Sequence, residues 1–491
     1  LRTNTGVRID NNSVFSPSLN LVGGVTWAGG IGAFTGPISI TQATELHVIT
    51  GPVLIVEGDL TADGLIVAQE TAALRFGGGR FVNNNTPRLP LVQFTGSSQT
   101  LQGAVGFSGG PQILQGVGSF SATTTARIEA GVILTLASDH QFGKLETASG
   151  AGVNPGVLNA TGRTASLSAP GTALLNEGRI ITASSTIIYN GVVTQSVNTS
   201  SMKYHNLTLN NPTLADAASS VFPLFVENTL RVQAGKFYSG DCQCGHIRID
   251  QGAEYRTTAG GLLHLTGNWT NDGAFQPGDD ATVVFAGASA QTIGGGAQTA
   301  FPNLTLENAQ GVTLTNDIIV SGTLTLNSEL YANGHTVYLA NTAIVTGAGE
   351  IIGAVQRTGP FTLQTPYTFN NAFTSIRFDA GLPNVVTVTL TRESPSDLPS
   401  AIHRVYAISS TQGNGFSATL RLHYRTEDLG DAAADTLQLW RRMGGQAQWQ
   451  AMGRSAASVT QQWVQQNGIA QFSEWSLAPG PWIVYVPVVH R

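Results

Sequence analysis

Cys242, Cys244 and His246 stand at alternate positions of one short run. Thiolate and imidazole form the donor set that zinc and copper favour. Three ligands so close together do not close a tetrahedral site, and the chain holds 2 cysteines in all. The cysteines are therefore expected to form a disulfide within their loop, in an oxidising compartment. A cross-link between molecules, a metal and free thiols remain as alternatives. The stretch 228–250 aligns with 322–340, where His335 recurs without cysteines, so His246 reads as a turn residue. The first copy is four residues longer between its tyrosine and its glycine (245−238 = 7 against 334−331 = 3). That places both cysteines in a lengthened outer turn.

Other candidates are weaker. Asp279-Asp280, and Glu427-Asp428 with Asp431 and Asp435, supply the oxygen atoms that calcium takes, but without EF-hand spacing, and they read as solvated turns. Cleaving a polysaccharide needs paired carboxylates on one face. Charged residues make up 11% of the chain and are scattered, so no catalytic residue, metal site or cofactor is expected, and the chain is read as a non-enzyme. The net charge of −6 and the scarcity of lysine (Lys144, Lys203, Lys236) speak against nucleic acid, which needs basic patches. Asn206-Leu207-Thr208, Asn268-Trp269-Thr270 and Asn303-Leu304-Thr305 match glycosylation acceptors. The first and last lie inside strand repeats, where a structural role is the expectation.

These residues sit in a chain built from repeats. The stretch 281–308 has two earlier counterparts, anchored on Phe94, Tyr189 and Phe285 at spacings of 189−94 = 95 and 285−189 = 96. Each copy alternates apolar and polar residues, as in Thr323-Leu324-Thr325-Leu326, with glycine and Asn-Gly breaks between runs. Period two is the pattern of a strand with one buried face. No sustained 3.6-residue stripe appears. A period near 95 then holds several rungs of about 20–25 residues each, stacked as a solenoid roughly 70 Å long.

The expected fold is all-β: an elongated parallel β-solenoid followed by an antiparallel β-sandwich. Residues 1–18, polar and rich in asparagine, read as a cap or arm, 19–355 as the solenoid, 356–480 as the sandwich and 481–491 as a strand-like tail. Sandwich strands are expected at 374–378, 385–391, 403–409, 417–424, 436–441, 449–452 and 468–477, with Trp440, Trp449, Trp463 and Trp475 in its core and rim. The chain begins at Leu1 rather than Met, and no apolar run reaches the ~18–20 residues that span a bilayer. A processed, secreted protein with no transmembrane segment, extracellular or on the cell surface, is the expectation.

The repeat wording, Phe301-Pro302-Asn303-Leu304-Thr305-Leu306, then Gly322-Thr323-Leu324-Thr325-Leu326 and Asn333-Gly334-His335, resembles secreted bacterial β-solenoid surface proteins over roughly 90–350. The part beyond 415 looks like a β-sandwich module often placed after such repeats. The ending Tyr485-Val486-Pro487-Val488-Val489-His490-Arg491 is similar to the short tails of secreted proteins from Chloroflexota. The resemblance implies location and architecture and carries no catalytic residues.

The tail bears most on function. Trp482, Ile483, Val484, Tyr485, Val486, Val488 and Val489 form an apolar strand interrupted at Pro487. Such a strand aggregates unless it pairs. It either closes its own sandwich or fills a groove in the next subunit by β-augmentation, and the second contact builds a filament. The expected function is a structural subunit of an extracellular filament or surface layer. Its partners would be copies of itself, with surface glycans as a further class. A carbohydrate-binding adhesin and a polysaccharide-degrading enzyme on a β-helix are the alternatives.

Overall fold

In the computed structural model the described residues run from 7 to 480. Before 125 they are chiefly the strands, and afterwards they are continuous except at 151–153, 201, 218–221, 396, 412–414, 445 and 447. The chain divides into two units, Leu1–Thr258 and Ala259–Arg491.

The first unit is a parallel β-solenoid. In-register partners in its nine-stranded sheet fall at Val53, Ala73 and Leu91, offsets of 73−53 = 20 and 91−73 = 18. Ile133 meets Val157 further on, at 157−133 = 24. Each coil therefore takes about the expected number of residues. Strands Val7–Ile9 and Ser13–Phe15, inside the stretch read as a cap or arm, already pair in parallel with Val25–Trp27 and Ile31–Phe34. Inward side chains stack in columns, and Leu167, Tyr189, Leu209, Val232 and Ile249 occupy one of them, in register and fully buried. Burying each such side chain contributes about 1.5–3 kcal/mol.

The repeat spacing misplaces one anchor. Phe94 pairs with Phe76 and Gly116 in the nine-stranded sheet, whereas Tyr189 belongs to a neighbouring sheet. Any inward-facing strand shares the alternation that relates the two, so likeness of wording did not secure likeness of face.

The second unit opens with coils of the same kind. Leu265, Phe285, Leu306 and Leu326 form a buried column in consecutive strands. The architecture changes within one strand, Ile351–Thr358. One edge of it pairs in parallel with Leu330–Leu339, and the other pairs antiparallel with Val385–Thr391. The sheet continues through Val405–Thr411, Glu474–Pro479, Leu437–Arg442 and Gln450–Gly453. A second, five-stranded antiparallel sheet holds Pro366–Thr368, Ser375–Ala380, Ser417–His423, Trp463–Ile469 and Ala456–Ser458. The strand expected at 468–477 is two strands in different sheets, because the chain leaves one sheet after Ile469 and enters the other at Glu474.

Of the four tryptophans expected in the core and rim, Trp475 alone is fully buried. Trp463 and Trp449 are half-buried, with Arg421 at 4.0 Å and Arg442 at 4.9 Å over their rings. Among the described residues the only helices are the 3-10 turns Thr426–Asp428 and Ala434–Thr436, and no helix is long and apolar enough to cross a membrane.

Candidate functional site

The strongest concentration of ionisable groups lies in the second unit, where the last coils meet the antiparallel strands. Glu350 immediately precedes Ile351–Thr358, and its carboxylate is fully buried. Arg404 donates two hydrogen bonds to it, Nη1 to Oε1 at 2.6 Å and Nη2 to Oε2 at 2.9 Å. Arg392 Nη2 reaches Oε2 at 2.8 Å, Arg425 Nε lies 3.3 Å from the same oxygen, and Asn371 Nδ2 donates to Oε1 at 2.8 Å. His423 Nδ1 lies 2.8 Å from Oε1, which suits the tautomer protonated on that nitrogen.

An outer ring of acids completes the cluster. Asp428 pairs with Arg404 at 2.5 Å, and Glu329 pairs with Arg425 at 2.6 Å and Arg392 at 3.1 Å. Glu329, Glu350 and Asp428 thus match Arg392, Arg404 and Arg425 in number. The Tyr406 hydroxyl accepts from Arg404 and donates to the His423 carbonyl at 2.7 Å. Removing one charge from water costs several kcal/mol, so a cluster this deep persists only when every charge is matched.

Burial by itself would raise the Glu350 pKa. The His423 hydrogen bond and the Arg404 charge overcome it and hold the carboxyl well below the usual range. Burial likewise works against the Arg404 cation, but its electrostatic interactions with the Tyr406 hydroxyl and the Glu350 carboxylate outweigh it and raise its pKa. Arg357 is different. It is buried against carbonyls, donating to Thr368 at 2.8 Å, Ala340 at 2.6 Å and Ala343 at 2.7 Å, and burial lowers its pKa to about 10.

An open cleft of about 620 Å³ adjoins the cluster, lined among others by Asn327, Ser328, Glu329, Phe373, Arg425 and Glu427.

In the first unit Cys242 and Cys244 are joined by a disulfide and nearly fully buried. They do not lie in an outer turn. They belong to strand Cys242–Ile249, facing inward opposite Leu224 and Val226, and at the register shift that follows, Glu227 and Asn228 of the neighbouring strand stand opposite Gly245 alone. His246 is exposed on the other face, so the three side chains do not converge on one metal. Among the described residues no group of three or more His, Cys, Asp and Glu side chains could hold a metal ion. Asp428 is buried rather than solvated, which corrects the reading of its acidic run. The triplet asparagines tie coil to coil: Asn206 Nδ2 donates to the Ser185 carbonyl, and Asn303 Oδ1 accepts from the Thr323 amide. The tail candidates Trp482, Ile483, Val484, Tyr485, Val486, Val488 and Val489 lie outside the described residues.

Sequence reasoning missed the cluster. Its members span 329 to 428, and the available signal was the rise in arginine beyond 355. Comparison with models of known families, with curated proteins and with solved structures returned no match.

Proposed function

We propose that this chain is a structural subunit of an extracellular filament or surface layer, joined head to tail by strand complementation through 481–491. One observation carries the reading. The last described strand, Glu474–Pro479, is an inner strand between Val405–Thr411 and Leu437–Arg442, and the last contact among the described residues is that of the Gly480 amide with the Thr436 carbonyl. Both neighbours turn away there, at Ser400 with φ of 56° and at the 3-10 turn Ala434–Thr436. Residues 481–491 follow directly on this inner strand.

The acceptor in this reading is the start of the first unit. In the described pairings Val7–Ile9, Ser13–Phe15 and Leu19–Leu21 each pair with one strand, in the next coil, and the opposite edge is the one assigned to the incoming tail. An open edge is what an added strand seeks. The antiparallel part is read as the sandwich module of a secreted protein, and the Cys242–Cys244 bond favours an oxidising compartment.

Negative-stain electron microscopy of the full chain beside a version ending at Gly480 tests this. Filaments from the full chain alone support it. If both versions are monomers of equal stability, the tail has another role and the reading fails.

A further inference from the structure

We propose that the cleft beside the ion cluster binds a neutral, polyhydroxylated ligand, one or two residues of an uncharged glycan. Its volume of about 620 Å³ is that of a small-ligand site. One wall is nearly bare backbone, Gly347-Ala348-Gly349. A Cβ at Gly347 would stand 2.1 Å from the Leu326 carbonyl oxygen, and one at Gly349 would stand 2.2 Å from that of Ser328. The wall must stay small.

The charge balance selects the ligand. Arg425, the cation that lines the cleft, is already engaged by Glu329 and Glu350, and His423 Nδ1 lies against Glu350. No cation is left over to hold an acidic ligand. What faces the opening is neutral or weakly held. Asn327 is exposed, and its side chain makes no hydrogen bond among the described residues. Glu427 is exposed and meets Arg425 only at 3.4 Å. Gln461 uses its carbonyl oxygen on the Trp463 indole, leaving its amide N–H groups to donate. Phe373 is half-buried and stacked on the His423 ring at 5.5 Å, offering an aromatic surface for the C–H face of a sugar.

Isothermal titration of the full chain with cellotetraose, maltotetraose and tri-N-acetylchitotriose, beside tetragalacturonate, tests the assignment. Saturable binding of at least one neutral oligosaccharide is expected, without binding of the uronate. Asn327→Ala should weaken it by at least about tenfold. That side chain is exposed, so the fold is kept, and Gln446→Ala in a separate pocket should bind as the parent does. No binding of any neutral probe at about 10 mM, equal binding of the uronate, or binding indifferent to Asn327→Ala would overturn the proposal. The version ending at Gly480 should bind equally well, so the result is independent of self-assembly.

Discussion

Glu350 shows how few charges this chain needs when each is placed with care. Glu350→Gln keeps the shape but leaves Arg404, Arg392 and Arg425 with less countercharge in a buried site. Breaking one partner of a buried pair costs about 3–5 kcal/mol. The variant should show a lowered urea midpoint at pH 7, followed by fluorescence of Trp475, which is buried in the same unit. The pH dependence has a definite sign. The folded-state pKa of Glu350 is depressed, while the unfolded value is near 4.3. Acidification therefore adds protons to the unfolded chain first. The stabilisation is complete above about pH 5 and is lost as pH falls below about 4 towards the folded value. Between pH 7 and pH 3 the urea midpoint of the parent should fall more steeply than that of Glu350→Gln. Parallel slopes would remove Glu350 as the source.

At the scale of elements, the repeats carry an internal bracket. Gln195 and Gln291, separated by 291−195 = 96, are both buried. The amide nitrogen of Gln195 donates to the carbonyls of Leu167 and Ala169, and that of Gln291 donates to those of Leu265 and Gly267. Each carbonyl oxygen accepts from a backbone amide four residues earlier, Gly191 or Gly287, and from the side chain of Asn211 or Asn308 in the following strand or loop. One glutamine thus satisfies backbone groups of two coils at a corner where the ladders stop. Gln291→Leu would leave Leu265, Gly267, Gly287 and Asn308 short of partners, at about 1–3 kcal/mol for each buried group. Gly287→Ala should be comparably harmful, since a Cβ there would stand 2.4 Å from the Thr266 carbonyl oxygen and 2.8 Å from Gln291 Cδ. Thermal unfolding of the two single variants and the double variant should show strong non-additivity, because both break the same bracket.

What could be read from the sequence follows from the same geometry. Alternation such as Thr323-Leu324-Thr325-Leu326 revealed the strands because burial on one face is decided within two residues. The glutamines were visible as repeated letters, but their purpose was not. Leu167 lies 28 residues before Gln195, a distance set by the coil and not by local pattern. The ion cluster was hidden for the same reason. Glu329 and Glu350 come from the coils and Arg392, Arg404 and Arg425 from the antiparallel part, and only the folded strands bring them together. Cys242 and Cys244 were misplaced because residues that looked like a longer turn are part of a strand, in which Gly245 alone faces a bulge at Glu227-Asn228 of its neighbour. A side chain at Gly245 would meet the Asn228 carbonyl oxygen at 2.1 Å, so glycine is what permits it.

For the whole molecule the question is what drives association. The chain carries 24 basic and 30 acidic residues in 491, too few for surface charge to dominate contacts. The proposed joint brings together an apolar segment and the backbone edge of Val7–Ile9, Ser13–Phe15 or Leu19–Leu21 that faces away from the next coil. Backbone pairing and apolar burial are insensitive to screening, whereas exposed ion pairs weaken once the Debye length shrinks to about 3 Å near 1 M salt. Assemblies held this way should therefore survive transfer from about 0.1 M to about 1 M sodium chloride, because sodium chloride at these strengths acts mainly by screening charge. A free peptide of sequence 481–491 should compete for the same edge and shorten assemblies of the full chain in proportion to its concentration. Replacing Val484 and Val486 in that peptide with lysine should abolish the competition, since charge on an edge strand is a common block to pairing. Light scattering reads both effects. Dissolution by salt would assign the joint to charged surfaces instead, and a peptide without effect would remove the tail from it.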